Sequence, residues 1–165
     1  MNKILADMHT HTIASGHAYA TLTEMCKEAA NKGLEIYGIT EHSSGTPGTC
    51  ADIYFQNLRV VPRDLFGLDL RLGAEINIID YNGTLDLDQK YIDRLDFVIA
   101  GIHSVCYKFG SKEENTAAII NAIKNPNVNI ISHPDDGRCP LDYEALVQAA
   151  KEYHVLLEIN NNALR

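Results

Sequence analysis

Short runs rich in Val, Ile and Leu alternate along the chain with longer segments whose apolar positions recur at helical spacing. Six runs read as strands: Lys3–Met8, Glu35–Thr40, Leu70–Ala74, Phe97–Ile102, Asn129–Ser132 and Val155–Ile159. They recur about every 30 residues, the length of one β-α repeat. Several are almost continuously apolar, the pattern of strands covered on both faces. Between the first two, Thr21 and Glu24 form a T-x-x-E capping box. Leu22, Met25, Cys26, Ala29 and Ala30 then share one helical face, and Gly33 supplies the stop. A second helix is expected from near Asn115, carrying Ile119, Ile120 and Ile123 before Pro126. A third runs from an Asp142 cap, with Tyr143, Leu146, Val147 and Ala150 on its buried stripe. Asp52–Asp64 reads as partly helical, and Asp86–Leu95 gives a weaker helical signal.

Strand and helix in alternation, joined by right-handed crossovers, predict an α/β fold on a parallel sheet, either doubly wound or barrel-like. Six strands are too few for an eight-stranded barrel. The 165 residues are 45% hydrophobic, which fits one domain over residues 1–165 with a real core. No apolar run reaches the ~18 residues of a membrane span. The N-terminal run lacks the features of a secretory signal, so the expected location is cytoplasmic. A net charge of −8 argues against loose binding to nucleic acid. Cys26, Cys50, Cys106 and Cys139 form no C-x-x-C pair, which excludes a zinc ribbon and points to reduced thiols.

The seven histidines change the picture more than composition does. Asp7-Met8-His9-Thr10-His11 closes the first strand run, and alternation along a strand puts His9 and His11 on one face. His17 follows in the next loop. His42, Glu75, His103 and His133 close the second to fifth strand runs in turn. Functional groups of parallel α/β proteins collect at the C-terminal ends of strands. Imidazole and carboxylate suit zinc, manganese or iron, and a cysteine-free set points to a catalytic rather than a structural site. Six imidazoles and a carboxylate exceed one tetrahedral ion, so a polynuclear site is expected, with Glu75 able to bridge. His154, late in a helix, is assigned no role.

These residues resemble the PHP (polymerase and histidinol phosphatase) family. The resemblance rests on D-x-H-x-H at Asp7–His11, His17, I-T-x-H at His42, G-x-E at Glu75, A-G-x-H at His103 and S-H-P at His133, in order. The N-x-R-x-x-P-R stretch at Asn57–Arg63 and L-E-I-N-N at Leu157–Asn161 are similar to the small bacterial phosphatase-like members. The resemblance implies a distorted seven-stranded β/α barrel, here incomplete with about six strands, holding up to three ions, usually zinc. It implies that His9, His11 and Glu75 hold one ion, that Glu75, His103 and His133 hold a second, and that His17 and His42 hold the third. It implies that Asp7 orients a ligating imidazole, and that trimers form. Glu41 stands where the family usually has Asp. The family's late D-x-H motif does not occur before Arg165, so the first and third sites each lack a ligand and the chain is expected to be a shortened form.

The reaction expected is hydrolysis of a small phosphomonoester by a metal-activated hydroxide. Asp7, Glu75 and His103 are the candidate catalytic residues. Arg59 and Arg63 are the candidate phosphate clamps, because guanidinium matches phosphate geometry. Lys108 is a weaker one, and Tyr19 and Tyr107 could line the mouth. The alternatives are a non-catalytic metal-binding module, an amidohydrolase-type enzyme and a PHP nuclease. Neither Lys90 nor Lys108 is placed to give the bridging lysine of the second, and the acidic balance counts against the third.

Overall fold

A computed structural model describes residues 4–135 and 137–159. Its six strands, β1 (Ala6–Asp7), β2 (Ile36–His42), β3 (Asp69–Asn77), β4 (Phe97–Gly101), β5 (Ile130–Ile131) and β6 (Leu156–Leu157), pair in chain order. Every pairing is parallel. The helices are α1 (Leu22–Asn31), α2 (Ile53–Asn57), α3 (Gln89–Ile92), α4 (Lys112–Ile123) and α5 (Tyr143–Tyr153). The sheet curls so far that its two edges approach: His9, just after β1, hydrogen-bonds Glu158, just after β6. The result is a half-barrel, open between β1 and β6.

The central strands are long and dry. Ile39, Leu70, Leu72, Ile76, Ile78, Ile99 and Ile131 are fully buried. Each such side chain contributes about 1.5–3 kcal/mol relative to exposure. The outer strands β1, β5 and β6 are shorter than the apolar runs that announced them, with two residues each. Strand β3 is longer, because its C-terminal residues Glu75, Ile76 and Asn77 stay in register with Ile99, Ala100 and Gly101 of β4.

Helix α1 starts at the capping box expected of Thr21 and Glu24. Helix α4 begins earlier than Asn115, because Ser111 and Glu114 form a second capping box whose S-x-x-E spacing the apolar positions alone did not reveal. Asp142 caps α5, and His154 closes it in the left-handed conformation, φ 58°. Helix α2 is only five residues long and has no side-chain cap, so packing must hold it. Phe55, with no exposed surface, does that. Phe55→Ala is expected to cost about 3–5 kcal/mol, read as a lower urea midpoint with an unchanged slope. A loss under about 1 kcal/mol would place the helix's stability elsewhere.

Among the described residues no helix is long and apolar enough to cross a membrane.

Candidate metal centre

The site is built from the C-terminal side of the sheet. In the β2–β3 ladder His42 lies directly beside Glu75. His103 and His133 follow β4 and β5 by two residues each. The H-x-H segment lies just beyond β1 and still tracks β2: Thr40 N–H donates to Thr10 O at 2.9 Å, and Thr10 Oγ1 donates to Gly38 O at 2.6 Å. That approach requires a glycine, since a Cβ on Gly38 would lie 2.7 Å from Met8 O. His9 and His11 therefore share a face, their rings 5.2 Å apart.

Five imidazoles meet on one carboxylate. Glu75 is 1% exposed. Its Oε2 lies 3.1 Å from His9 Nε2, 3.2 Å from His11 Nε2 and 3.1 Å from His42 Nδ1. Its Oε1 lies 3.1 Å from Nε2 of both His103 and His133. His17, exposed, sets its ring edge-on 4.9 Å from that of His11 and tilted 5.0 Å from that of His42. These seven residues and Glu158 line an open hollow of about 300 Å³.

Burial would raise the Glu75 pKa, but hydrogen bonds from His103, His11, His133 and His9 hold it well below the usual carboxylate range. Burial likewise pulls His9 down, yet its bonds to Glu158 and Glu75 lift it to about 10. His133 rises against its burial for the same reason, through Glu75. His42 goes the other way. Burial, helped by the charges of His11, His103 and His17, outweighs Glu75 and lowers it to about 3. His42 is thus neutral, with a lone pair to offer.

This donor set fits divalent cations. His42 Nδ1 is buried and, despite its nearness to Glu75, makes no hydrogen bond. Buried polar atoms without partners are rare, and an ion is one of the few things that satisfies them. Among the described residues three groups of donor atoms lie close enough to share an ion: His9, His11 and Glu75; His11, His17 and His42; and His42, Glu75 and His103. The first is the grouping the resemblance implied. In the others His11 joins His17 and His42, and His42 takes the place expected of His133.

Supporting groups fix the imidazoles from behind. Glu41 has no exposed surface. It accepts from Thr12 N–H at 3.2 and 3.1 Å and from the hydroxyls of Thr12 and Ser15. With its proton committed to Glu41, Ser15 Oγ can only accept, and His11 Nδ1 lies 3.1 Å from it. Glu158 Oε2 lies 3.1 Å from His9 Nδ1 and accepts from His133 N–H at 2.7 Å. That second bond holds His133 at φ 29°, a conformation unusual for a non-glycine residue and disfavoured before Pro134. Ser15 has no signal in the sequence, and Glu158 stands there only within the L-E-I-N-N run, with no role attached. The strand-end rule applied to the sixth run, where Glu158 stands, would have found the latter.

Other sequence candidates lie elsewhere. Asp7 is exposed, and its carboxylate accepts from His9 N–H at 3.3 Å rather than from an imidazole. Arg63 sits at the opposite end of the sheet: its carbonyl accepts from Leu70 N–H near the start of β3, and its guanidinium lies 3.5 Å from Asp96, ahead of β4. Leu70 and Glu75 are five residues apart, ~16 Å along a strand, so Arg63 is no clamp for a phosphate on the histidines. Arg59 is exposed in a 3-10 turn, Leu58–Val60, and does not line the hollow. Lys108 borders a separate hollow with Asp80, Tyr81 and Tyr107. Tyr107 is buried and donates to Asn115, a packing role, and Tyr19 is 91% exposed.

A curled parallel sheet with an imidazole-and-carboxylate cluster at its C-terminal edge defines an α/β half-barrel whose cluster could hold cations. The chain belongs to the PHP domain family, which matches residues 7–162. It is 48% identical over 161 residues to a probable phosphatase of Acetivibrio thermocellus, covering 98% of this chain and 67% of that protein. It is 51% identical over 155 residues to one of Caldicellulosiruptor saccharolyticus, covering 94% and 65%. The chain thus spans about two thirds of the length of these curated relatives. Its fold is similar to that of a Lactococcus lactis histidinol phosphate phosphatase solved with zinc, L-histidinol and phosphate (TM-score 0.58, 19% identity, 94% of this chain and 72% of that one). It is also similar to a histidinol phosphatase structure from Listeria monocytogenes (TM-score 0.63, 16% identity, covering 94% and 82%).

Proposed function

We propose that this domain forms the metal centre of a phosphatase that hydrolyses small phosphomonoesters at a polynuclear site. The observation that carries this reading is the convergence of five imidazoles on the buried Glu75 carboxylate. The names of the curated relatives support the reaction class.

His9, His11, His17, His42, Glu75, His103 and His133 are the residues that would hold up to three divalent ions, with zinc favoured by the imidazole-rich set. Such ions supply Lewis acidity, a water of lowered pKa and neutralisation of charge developing on phosphoryl oxygens. The protein's own part is geometric. Glu75 supplies the central negative charge and, with two oxygens facing different imidazoles, can bridge two ions. His42 stays neutral and ready to donate its lone pair. Glu158 and Ser15 keep His9 and His11 aimed at the centre. Asp7 acts on this segment through the backbone of His9. Arg138 lines a small hollow beside His133 and is the guanidinium at this end of the sheet that we assign to the substrate phosphate, in place of Arg59 and Arg63.

The test is phosphate release from p-nitrophenyl phosphate with added Zn²⁺ or Mn²⁺. The unsubstituted chain is expected to turn over, and His103→Ala to lower the rate by about 100-fold or more, the scale of losing a metal-supporting residue. Equal rates, or no turnover with either ion, would overturn the reading.

A further inference from the structure

Beyond β3 the chain doubles back. Ile79 N–H donates to Thr84 O, Gly83 N–H to Asp80 O, and Ile78 bridges Leu85 antiparallel. The return strand delivers Asp86 beside Asn77, the last residue of β3. Asp86 N–H donates to Asn77 O at 3.2 Å.

Around Asn77 the hydrogen bonds form a directed chain. Asn77 has no exposed surface. Its Nδ2 donates to Asp86 Oδ2 at 2.7 Å and to Ser43 Oγ at 3.0 Å. Its backbone N–H donates to Asp86 Oδ1 at 3.0 Å, and the Ser43 hydroxyl donates to the same oxygen. On the far side Asn77 Oδ1 lies 2.7 Å from His103 Nδ1. An ionised carboxylate only accepts. Ser43, its one proton committed to Asp86, can only accept from Asn77. Both therefore require the NH₂ side of the amide. The amide cannot turn over without facing a carbonyl oxygen to a carboxylate oxygen 2.7 Å away. Asn77 Oδ1 is left facing His103 and the Thr46 hydroxyl, 3.2 Å away, and an oxygen 2.7 Å from Nδ1 needs a proton there.

We propose that Asp86 is a positioning residue which, through Asn77, fixes the proton of His103 on Nδ1 and so reserves Nε2 for the centre around Glu75. Nε2 does point there, 3.1 Å from Glu75 Oε1. Asp86 touches neither Glu75 nor any other imidazole in the hollow, and nothing in the ligand pattern of the sequence marks it. The chain has made room for it: a Cβ on Gly45 would fall 2.1 Å from Asp86 Oδ2. The inference rests on the metal-centre reading but not on phosphatase activity.

The experiment is long-range ¹H–¹⁵N correlation of the histidine rings, in the metal-free and zinc-loaded chain, with zinc affinity by competition against a chelator. In the unsubstituted chain His103 should carry a slowly exchanging proton on Nδ1 in both states. Asp86→Asn adds a donor where only acceptors stood and frees the amide to turn. The Nδ1 proton of His103 should then exchange rapidly or vanish, and zinc affinity should fall by about 10–100-fold. The His9 ring, whose Nδ1 rests on Glu158, should not change. Gly45→Ala, which keeps Asp86 but displaces its carboxylate, should give the same signature, and it guards against a folding defect in the first variant. An unaltered His103 signal with unaltered zinc affinity in both variants overturns the proposal, as does equal disturbance of the His9 ring. No substrate enters these measurements. A chain that hydrolyses no phosphomonoester can still confirm the role of Asp86, and an active chain can still refute it.

Discussion

Glu75→Gln is expected to strip the centre of tightly held ions and to destabilise the metal-free chain. Among the described residues the carboxylate is the group that faces all five converging imidazoles, each at 3.1 or 3.2 Å. A glutamine keeps the shape, but it removes the negative charge and turns one oxygen into a donor. In the metal-free chain the raised pKa of His9, about 10, means that a buried cation then loses one of its two carboxylate partners. Removing one member of a buried ion pair costs about 3–5 kcal/mol. The pH window follows from the sign of that shift. A raised imidazole pKa contributes stability that is full below pH ~6.5, the unfolded value, and fades as pH rises toward 10. The loss in Glu75→Gln should therefore be larger at pH 6 than at pH 10. Melting temperature with and without zinc at both pH values, together with metal content by mass spectrometry, checks this. A variant that keeps its full metal complement and zinc-dependent stabilisation displaces Glu75 from the centre.

The second large effect is expected at Glu41, a carboxylate buried behind the site. It accepts hydrogen bonds from Thr12 and Ser15, which stand in the turn between His11 and His17, and the Tyr54 hydroxyl also bonds to it. Glu41→Ala leaves a buried N–H and two hydroxyls without their acceptor, each costing about 1–3 kcal/mol, and opens a cavity besides. A total of at least about 3 kcal/mol is expected. Glu41→Asp keeps the charge but withdraws it by one methylene, and should lose about 1 kcal/mol. Urea unfolding of the three proteins gives the energies. Exchange of the Thr12 amide reports the bond itself: it should quicken in Glu41→Ala and be largely restored in Glu41→Asp. Stability within about 0.5 kcal/mol of the unsubstituted chain, the range of an ordinary surface change, would show that the network carries no weight.

The strand-end rule worked for His42, Glu75, His103 and His133 because it depends only on order: successive parallel strands end on the same side of a sheet. The same rule, applied to the sixth run, points to Glu158 near its end. Arg59 and Arg63 show where the approach fails. Guanidinium suits phosphate, but Arg63 lies where its loop leads into β3, at the N-terminal end of the sheet, and Arg59 does not line the hollow. The resemblance implies that Asp7 orients a ligating imidazole; its carboxylate instead accepts from the His9 backbone N–H, and Glu158 lies against the His9 imidazole.

By itself the sequence determined the order of the elements, the parallel sheet and the set of side chains gathered at one end of it. Those follow from periodicity, capping boxes and chain order, all of them local properties. The tertiary structure alone decided how His9, His11 and His103 are oriented, because the groups that contact them from behind come from far along the chain: Glu158 for His9, Glu41 through Ser15 for His11, and Asp86 through Asn77 for His103. A hydrogen bond acts over about 3 Å, and no pattern in a linear sequence records which distant residues come that near.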